Sequence, residues 1–305
     1  MTFSRDSAFV AWGGLAIGVW DVHNSCELAK DARHSGIRAM VFAQDSNQLN
    51  CVDWDGLIRQ WDLLASGGHR ELNHANAVAR CAAFSADGTR IAWCSWDKCI
   101  TVWNMGAASP SIKLKGHRLR MTAVALSRDG MMLASGSADG TVHLWNLNRL
   151  ELEDLEGHQN TITALDFSPV GKLLAVGAAD GSISICNIKK GRRGTRIAGN
   201  GQSVVSLNFS HDAKIVASGY ADGTICLWEV ATGGAICWLG GHGKAVSALT
   251  FRENARQLIS CGLDGKCLIW DVQAPRCIDC LVSPGGGVLS MACSKDGIRL
   301  AVGTE

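Results

Sequence analysis

At 305 residues, with 47% hydrophobic and 19% charged residues, the chain has apolar material for a substantial core and too little charge for disorder. A formal net charge of +1 excludes a global electrostatic pull toward nucleic acid or acidic membranes, leaving only local patches to consider. The 35 glycines and 4 prolines fit a sheet protein with many tight turns, because proline would remove ladder donors.

The chain opens without the basic segment and apolar stretch of a secretory signal. No apolar run approaches the roughly 20 residues of a membrane helix, so membrane insertion is not expected and the chain reads as cytoplasmic. Its first residues, TFSRDSAFVAWG, align with NFSHDAKIVASG at 208–219. The chain therefore starts at the tail of a first strand and supplies second, third and fourth strands through about Lys30.

From there a tryptophan or its substitute ends a short apolar run at Trp20, Trp61, Trp103, Trp145, Cys186, Trp228 and Trp270. The intervals are 41, 42, 42, 41, 42 and 42 residues, too constant for unrelated domains. Two units show the grammar: GHRLRMTAVALSRDGMMLASGSADGTVHLWNL (116–147) and GHGKAVSALTFRENARQLISCGLDGKCLIWDV (241–272). Each opens on Gly-His and runs through an alternating apolar segment to a polar break. A second run then reaches an Asp-Gly turn, and a third ends at the tryptophan. These read as antiparallel strands joined by hairpins, with a weaker fourth run such as Ala235 to Leu239 before the next unit.

The last residues, VLSMACSKDGIRLAVGTE, supply a first strand and a second strand. We expect residues 1–305 to form one domain in which the terminal strands join in a single closing blade, leaving one second strand surplus (Ala8 to Gly13 or Ile298 to Gly303). Beginning and ending inside repeats also fits a fragment of a longer array.

The 13 cysteines are odd in number and mostly flanked by apolar strand-like residues, so we expect small buried hydrophobes of a reducing compartment. The one Cys-x-x-Cys, Cys277 and Cys280, has no second pair at zinc-finger spacing; no metal or cofactor is expected. Asn208-Phe-Ser210 matches a glycosylation acceptor but lies inside a strand pattern.

Four strands per repeat, a Gly-His opening and a Trp-Asp ending resemble the WD40 family over essentially the whole chain. The resemblance implies an all-β, seven-bladed propeller of four-stranded blades around a central channel. It also implies His–Ser–Asp–Trp hydrogen-bonded tetrads: His117, Ser135, Asp139 and Trp145 in one unit, His242, Ser260, Asp264 and Trp270 in another. In such a chain the turn Asp would hold the imidazole, the imidazole the hydroxyl, and the hydroxyl the indole. Asn200 replaces the histidine before Ser218, Asp222 and Trp228. Cys51 and Trp93 stand at serine positions, and Val176 and Cys186 spoil the unit beginning at His158. Those blades are expected to rely more on packing.

Ser, His and Asp recur together, yet in several units and always with tryptophan, whereas a hydrolytic triad would be singular. Neither a nucleophile elbow nor a phosphate loop occurs, so no enzyme is expected. The resemblance places the residue before each turn Asp, and those after Gly-His, on the top face. It thereby draws Trp54, Val78, Trp96 and Arg120 into one patch, of residue types enriched at interface hot spots. A second candidate is Lys189, Lys190, Arg192 and Arg193 in a bottom-face turn, able to engage an anionic partner by charge but lacking a stacking aromatic. The leading expectation is a protein or peptide interaction scaffold within a multiprotein complex, with nucleic acid disfavoured. The alternative is the sensor propeller of a larger signalling NTPase.

Overall fold

Three turn signals per repeat divide each unit into four short strands, and the computed structural model builds each unit as one antiparallel sheet. The structure describes residues 1–305 apart from 15, 32–35, 64–68, 75–77, 96, 106–111, 156–157, 189–193, 253–254 and 305, and omits the side chains of Asn73 and His74. Seven four-stranded blades follow in chain order at residues 2–31, 37–74, 79–115, 121–155, 162–197, 204–239 and 246–282, here blades 1 to 7. They form a ring, a seven-bladed β-propeller. A two-stranded sheet of Val288–Cys293 and Leu300–Thr304 follows blade 7. No helix among the described residues is long and apolar enough to cross a membrane.

Each blade's first strand lies innermost and packs against the first strands of the blades on either side. Because blades stack face to face, their second strands are covered on both faces. Ile215–Tyr220 (IVASGY) and Gln257–Gly262 (QLISCG) are buried almost throughout, and accordingly carry small and apolar residues without polar alternation. The outermost strands are solvated: every residue of Arg276–Val282 is exposed. Glycine is required where blades come closest, since a Cβ at Gly177 would sit 2.6 Å from Val204 Cγ1 of the next blade.

The repeat tryptophans seal the seams. Trp145 packs with Ala92, Ile100 and Val102 of blade 3, Trp228 with Ala175, Ile183 and Ile185 of blade 5, and Trp270 with Ala217, Ile225 and Leu227 of blade 6. Each plugs into the preceding blade. Trp20 is the exception at 38% exposed against 4% for Trp145, because the sheet preceding blade 1 has only two strands.

Ring closure corrects one expectation. The termini meet, but not within one sheet. Thr2–Phe3 pairs with Phe9–Gly13 and completes blade 1 from N-terminal residues alone, while Val288–Cys293 pairs with Leu300–Thr304. Neither second strand is surplus, because each has its own first strand. The two sheets meet through the packing of their inner strands, the Lys295 N–H donating to Ser7 Oγ (3.2 Å), and the Arg299 guanidinium donating to the Ser7 carbonyl (3.3 Å).

A second correction concerns the cysteines. Cys261 and Cys267 stand directly opposite each other on neighbouring strands of blade 7 and form a disulfide. Cross-strand partners bring their Cβ atoms within bridging reach. The other eleven are free, with Cys277 and Cys280 exposed on the outermost strand of blade 7.

Candidate functional site

The strands deliver two kinds of polar arrangement: networks between the blades, and a top face where the Asp-Gly turns meet the loops that enter the inner strands. In blade 7 the expected tetrad is continuous. Trp270 Nε1–H donates to Ser260 Oγ (2.8 Å), Ser260 Oγ lies 2.8 Å from His242 Nε2, and His242 Nδ1 lies 3.0 Å from Asp264 Oδ1. Burial works against the Asp264 charge, but the Gly243 N–H and the His242 ring outweigh it and hold the carboxyl below its usual range.

Blade 4 departs from the expected direct Asp–His contact. Trp145 and His117 both reach Ser135 Oγ, at 3.0 and 2.7 Å, but His117 Nδ1 meets Thr141 Oγ1 at 2.8 Å, and that hydroxyl donates to Asp139 at 2.6 Å. The residue after Asp-Gly decides the difference. Threonine interposes a hydroxyl, whereas Lys266 at that position in blade 7 offers none. Burial, and then the neighbouring His143, push His117 down to about 4, so the ring is neutral at physiological pH.

The blade judged spoiled by Val176 and Cys186 keeps a network after all. His158 bonds Ser184 Oγ at 2.9 Å and Ser182 Oγ at 2.7 Å, and Ser182 donates to Asp180. Val176 and Ser184 are direct cross-strand partners, so the missing hydroxyl has moved one strand across the ladder. In blade 6, Asn200 Nδ2 donates to Asp222 (3.0 Å) and Thr224 (2.8 Å), and Trp228 keeps its bond to Ser218 (2.8 Å). Blade 2 is built on charge instead, with Arg59 paired to the buried Asp53. The Trp93 and Trp103 indole nitrogens of blade 3 are buried without a hydrogen-bond partner among the described residues.

On the top face of blades 2, 4 and 7, the N–H before the turn Asp donates to the carbonyl just before the inner strand of the same blade: Trp54 to Gly36 (2.7 Å), Ala138 to Arg120 (3.0 Å), Leu263 to Ala245 (2.9 Å). The Trp54 carbonyl then accepts the Ala79 N–H of blade 3 at 2.7 Å, which sets Val78 beside Trp54. Trp54 is 45% exposed, Val78 half-buried, and Arg120 exposed at the rim of blade 4 against Ala138. Trp96 lies outside the described residues, as do Lys189, Lys190, Arg192 and Arg193.

Sequence reasoning missed Arg38 and Arg80. The ladders of blades 2 to 7 shift register near the top of the inner strand, leaving residues 38, 80, 122, 163, 205 and 247 without a direct partner. Hydroxyls there bridge outward: Thr122 donates to the Ile162 carbonyl (2.5 Å), and Ser247 to that of Val288. Blades 2 and 3 carry arginine instead. The Arg38 guanidinium lies 3.7 Å over the Trp54 ring, with burial and the charge of Arg80 lowering its pKa. Aligning the repeats at this one position would have revealed both.

Comparisons with known proteins agree with this architecture. A family described as IFT122 first beta-propeller matches residues 70–305, and the WD domain, G-beta repeat, matches residues 26–62. Among solved structures, the computationally designed Ika8 protein is similar at 27% identity and a TM-score of 0.83, over 100% of this chain and 95% of its own. No curated protein matches the chain.

Proposed function

The chain belongs to the WD40-repeat β-propellers, in the family described as IFT122 first beta-propeller, and we propose that it is a non-catalytic scaffold recruiting a protein or peptide through its top face. Such propellers are generally protein-binding and non-catalytic. The supporting observation is the exposed Trp54 indole under the Arg38 guanidinium, beside Val78. A large, stiff aromatic held by a charged fork buries area on contact at little cost in rotamer entropy. Arg120, exposed on blade 4, extends the surface.

The buried histidines serve this role by holding the turns still. His117, His158 and His242 each spend both ring nitrogens on neighbouring side chains, leaving neither for proton transfer to a ligand.

A photoreactive amino acid at position 78 tests the site. One protein should crosslink from that position and not from position 236 on the outer strand of blade 6. Equal yield from both positions would contradict a top-face site.

A further inference from the structure

The end of the channel opposite the Asp-Gly turns carries a second arrangement, made by the hairpins that join each inner strand to its second strand. Most run Ser-x-Asp. The serine hydroxyl donates to the Asp carboxylate at 2.6 Å in Ser4–Asp6, Ser127–Asp129 and Ser210–Asp212, and the same carboxylate accepts a backbone N–H two residues on. With both flanking side chains turned into the hairpin, the middle residue is left exposed. Those middle residues include Arg5, Arg128, His211 and Lys295, from blades 1, 4 and 6 and the two-stranded sheet.

Together with Arg252 of blade 7 they line one cavity of about 450 Å³. Asp87 is the one carboxylate lining it among the described residues. The other hairpin acids are committed to their own turns, and their hydrogen bonds hold Asp6, Asp129, Asp212 and Asp296 below the usual carboxylate range. Arg252 is pinned by Nη1–H donation to Gln257 Oε1 at 2.6 Å, while its buried Nε has no acceptor among the described residues. Cationic groups thus converge here from separate blades.

We propose that this mouth of the channel binds a compact ligand carrying several phosphate groups. Guanidinium forks match phosphate oxygens in paired hydrogen bonds, and lysine adds a point charge. The volume falls within the ~300–1,000 Å³ of small-molecule sites, too small for a folded partner. The site lies at the other end of the channel from the Trp54 surface and stands whether or not that surface binds protein.

The test is calorimetric titration of the full chain with inositol hexakisphosphate and with tripolyphosphate at about 150 mM salt, where exposed long-range attraction is screened. One saturable site per chain is expected. The variant Arg5→Gln/Arg128→Gln/Lys295→Gln weakens binding at least about tenfold, because each lost group removes charge-assisted bonds. The control Lys244→Gln/Lys266→Gln, removing exposed charges near the opposite end, leaves affinity unchanged. Unchanged thermal unfolding validates the triple variant, and Lys295→Gln alone replaces it if unfolding shifts. Flotation with vesicles of neutral lipid, with and without a phosphoinositide, distinguishes sources: binding of the soluble ligands assigns a free polyphosphate, and binding to phosphoinositide vesicles alone assigns a lipid headgroup. No saturable binding in any arm, or equal weakening in both variants, overturns the proposal.

Discussion

The hydroxyl of Ser260 has two nitrogens to satisfy, and the order of protons along the network follows from that. The indole of Trp270 can only donate, so Ser260 Oγ accepts from it and meets His242 Nε2 on its other side. The Asp264 carboxylate can only accept, so His242 Nδ1 carries a proton directed at it. Thr141 preserves the same polarity in blade 4, accepting from His117 and donating to Asp139. Ser260→Ala would strand the indole N–H and the imidazole nitrogen together. We expect a loss of about 2–3 kcal/mol in urea denaturation. Asp166 is the residue most at odds with neutral pH: burial pushes its carboxyl up to about 7, although it accepts the Phe209 N–H of the next blade at 2.8 Å. The unfolded carboxyl loses its proton near the ordinary value of 3.8, while the folded one keeps it to about 7. Its stabilising contribution is thus complete below the unfolded value and lost as pH rises through the folded one. In the next blade Asn208 accepts the Phe251 N–H in the same way without a charge. Asp166→Asn should therefore gain on the order of 1 kcal/mol at pH 8 and little at pH 4, read from unfolding curves at both.

Blades differ in how they are held, and the differences set their stability. Trp145 fills the seam with blade 3, whereas Trp20 faces a sheet lacking third and fourth strands. Trp145→Ala should cost about 3–5 kcal/mol, as large core truncations do, and Trp20→Ala markedly less. A cavity of equal cost at both positions would contradict the seam geometry. The sheet of Val288–Cys293 and Leu300–Thr304 is tied to blade 7 by Ser247 and the packing of Val288 near Cys261, and to blade 1 through Ser7. With half the ladder of its neighbours, it should open most readily. Amide hydrogen exchange should release its protons well before those of Ile215–Tyr220, the doubly covered second strand of blade 6. The repeat frame was legible because the tryptophan spacing follows directly from blade geometry. Two features were not. Ser184 escaped because the network was sought only on second strands, and blade 1 was misjudged because two residues, Thr2 and Phe3, suffice for its inner strand. Short pairings leave too little pattern to read.

For the whole molecule, the ring turns one-dimensional repetition into a surface where blades differ only at a few positions. The seams and the register shift of the inner strand recur, whereas arginine fills the shifted position only in blades 2 and 3. Trp54 and Arg120 could be singled out as large or charged side chains among small ones, since the turn position was known. Arg38 and Arg80 belong to no motif, and only an alignment of the inner strands at the register shift brings them out. We place partner recruitment at the face that carries Trp54. It is tested most directly by affinity capture with the intact chain and a Trp54→Ala/Trp96→Ala/Arg120→Ala variant, matched in thermal stability and read by quantitative mass spectrometry. One specific partner should be lost from the variant at unchanged thermal stability. Full retention of every partner would contradict it and leave those tryptophans as architecture.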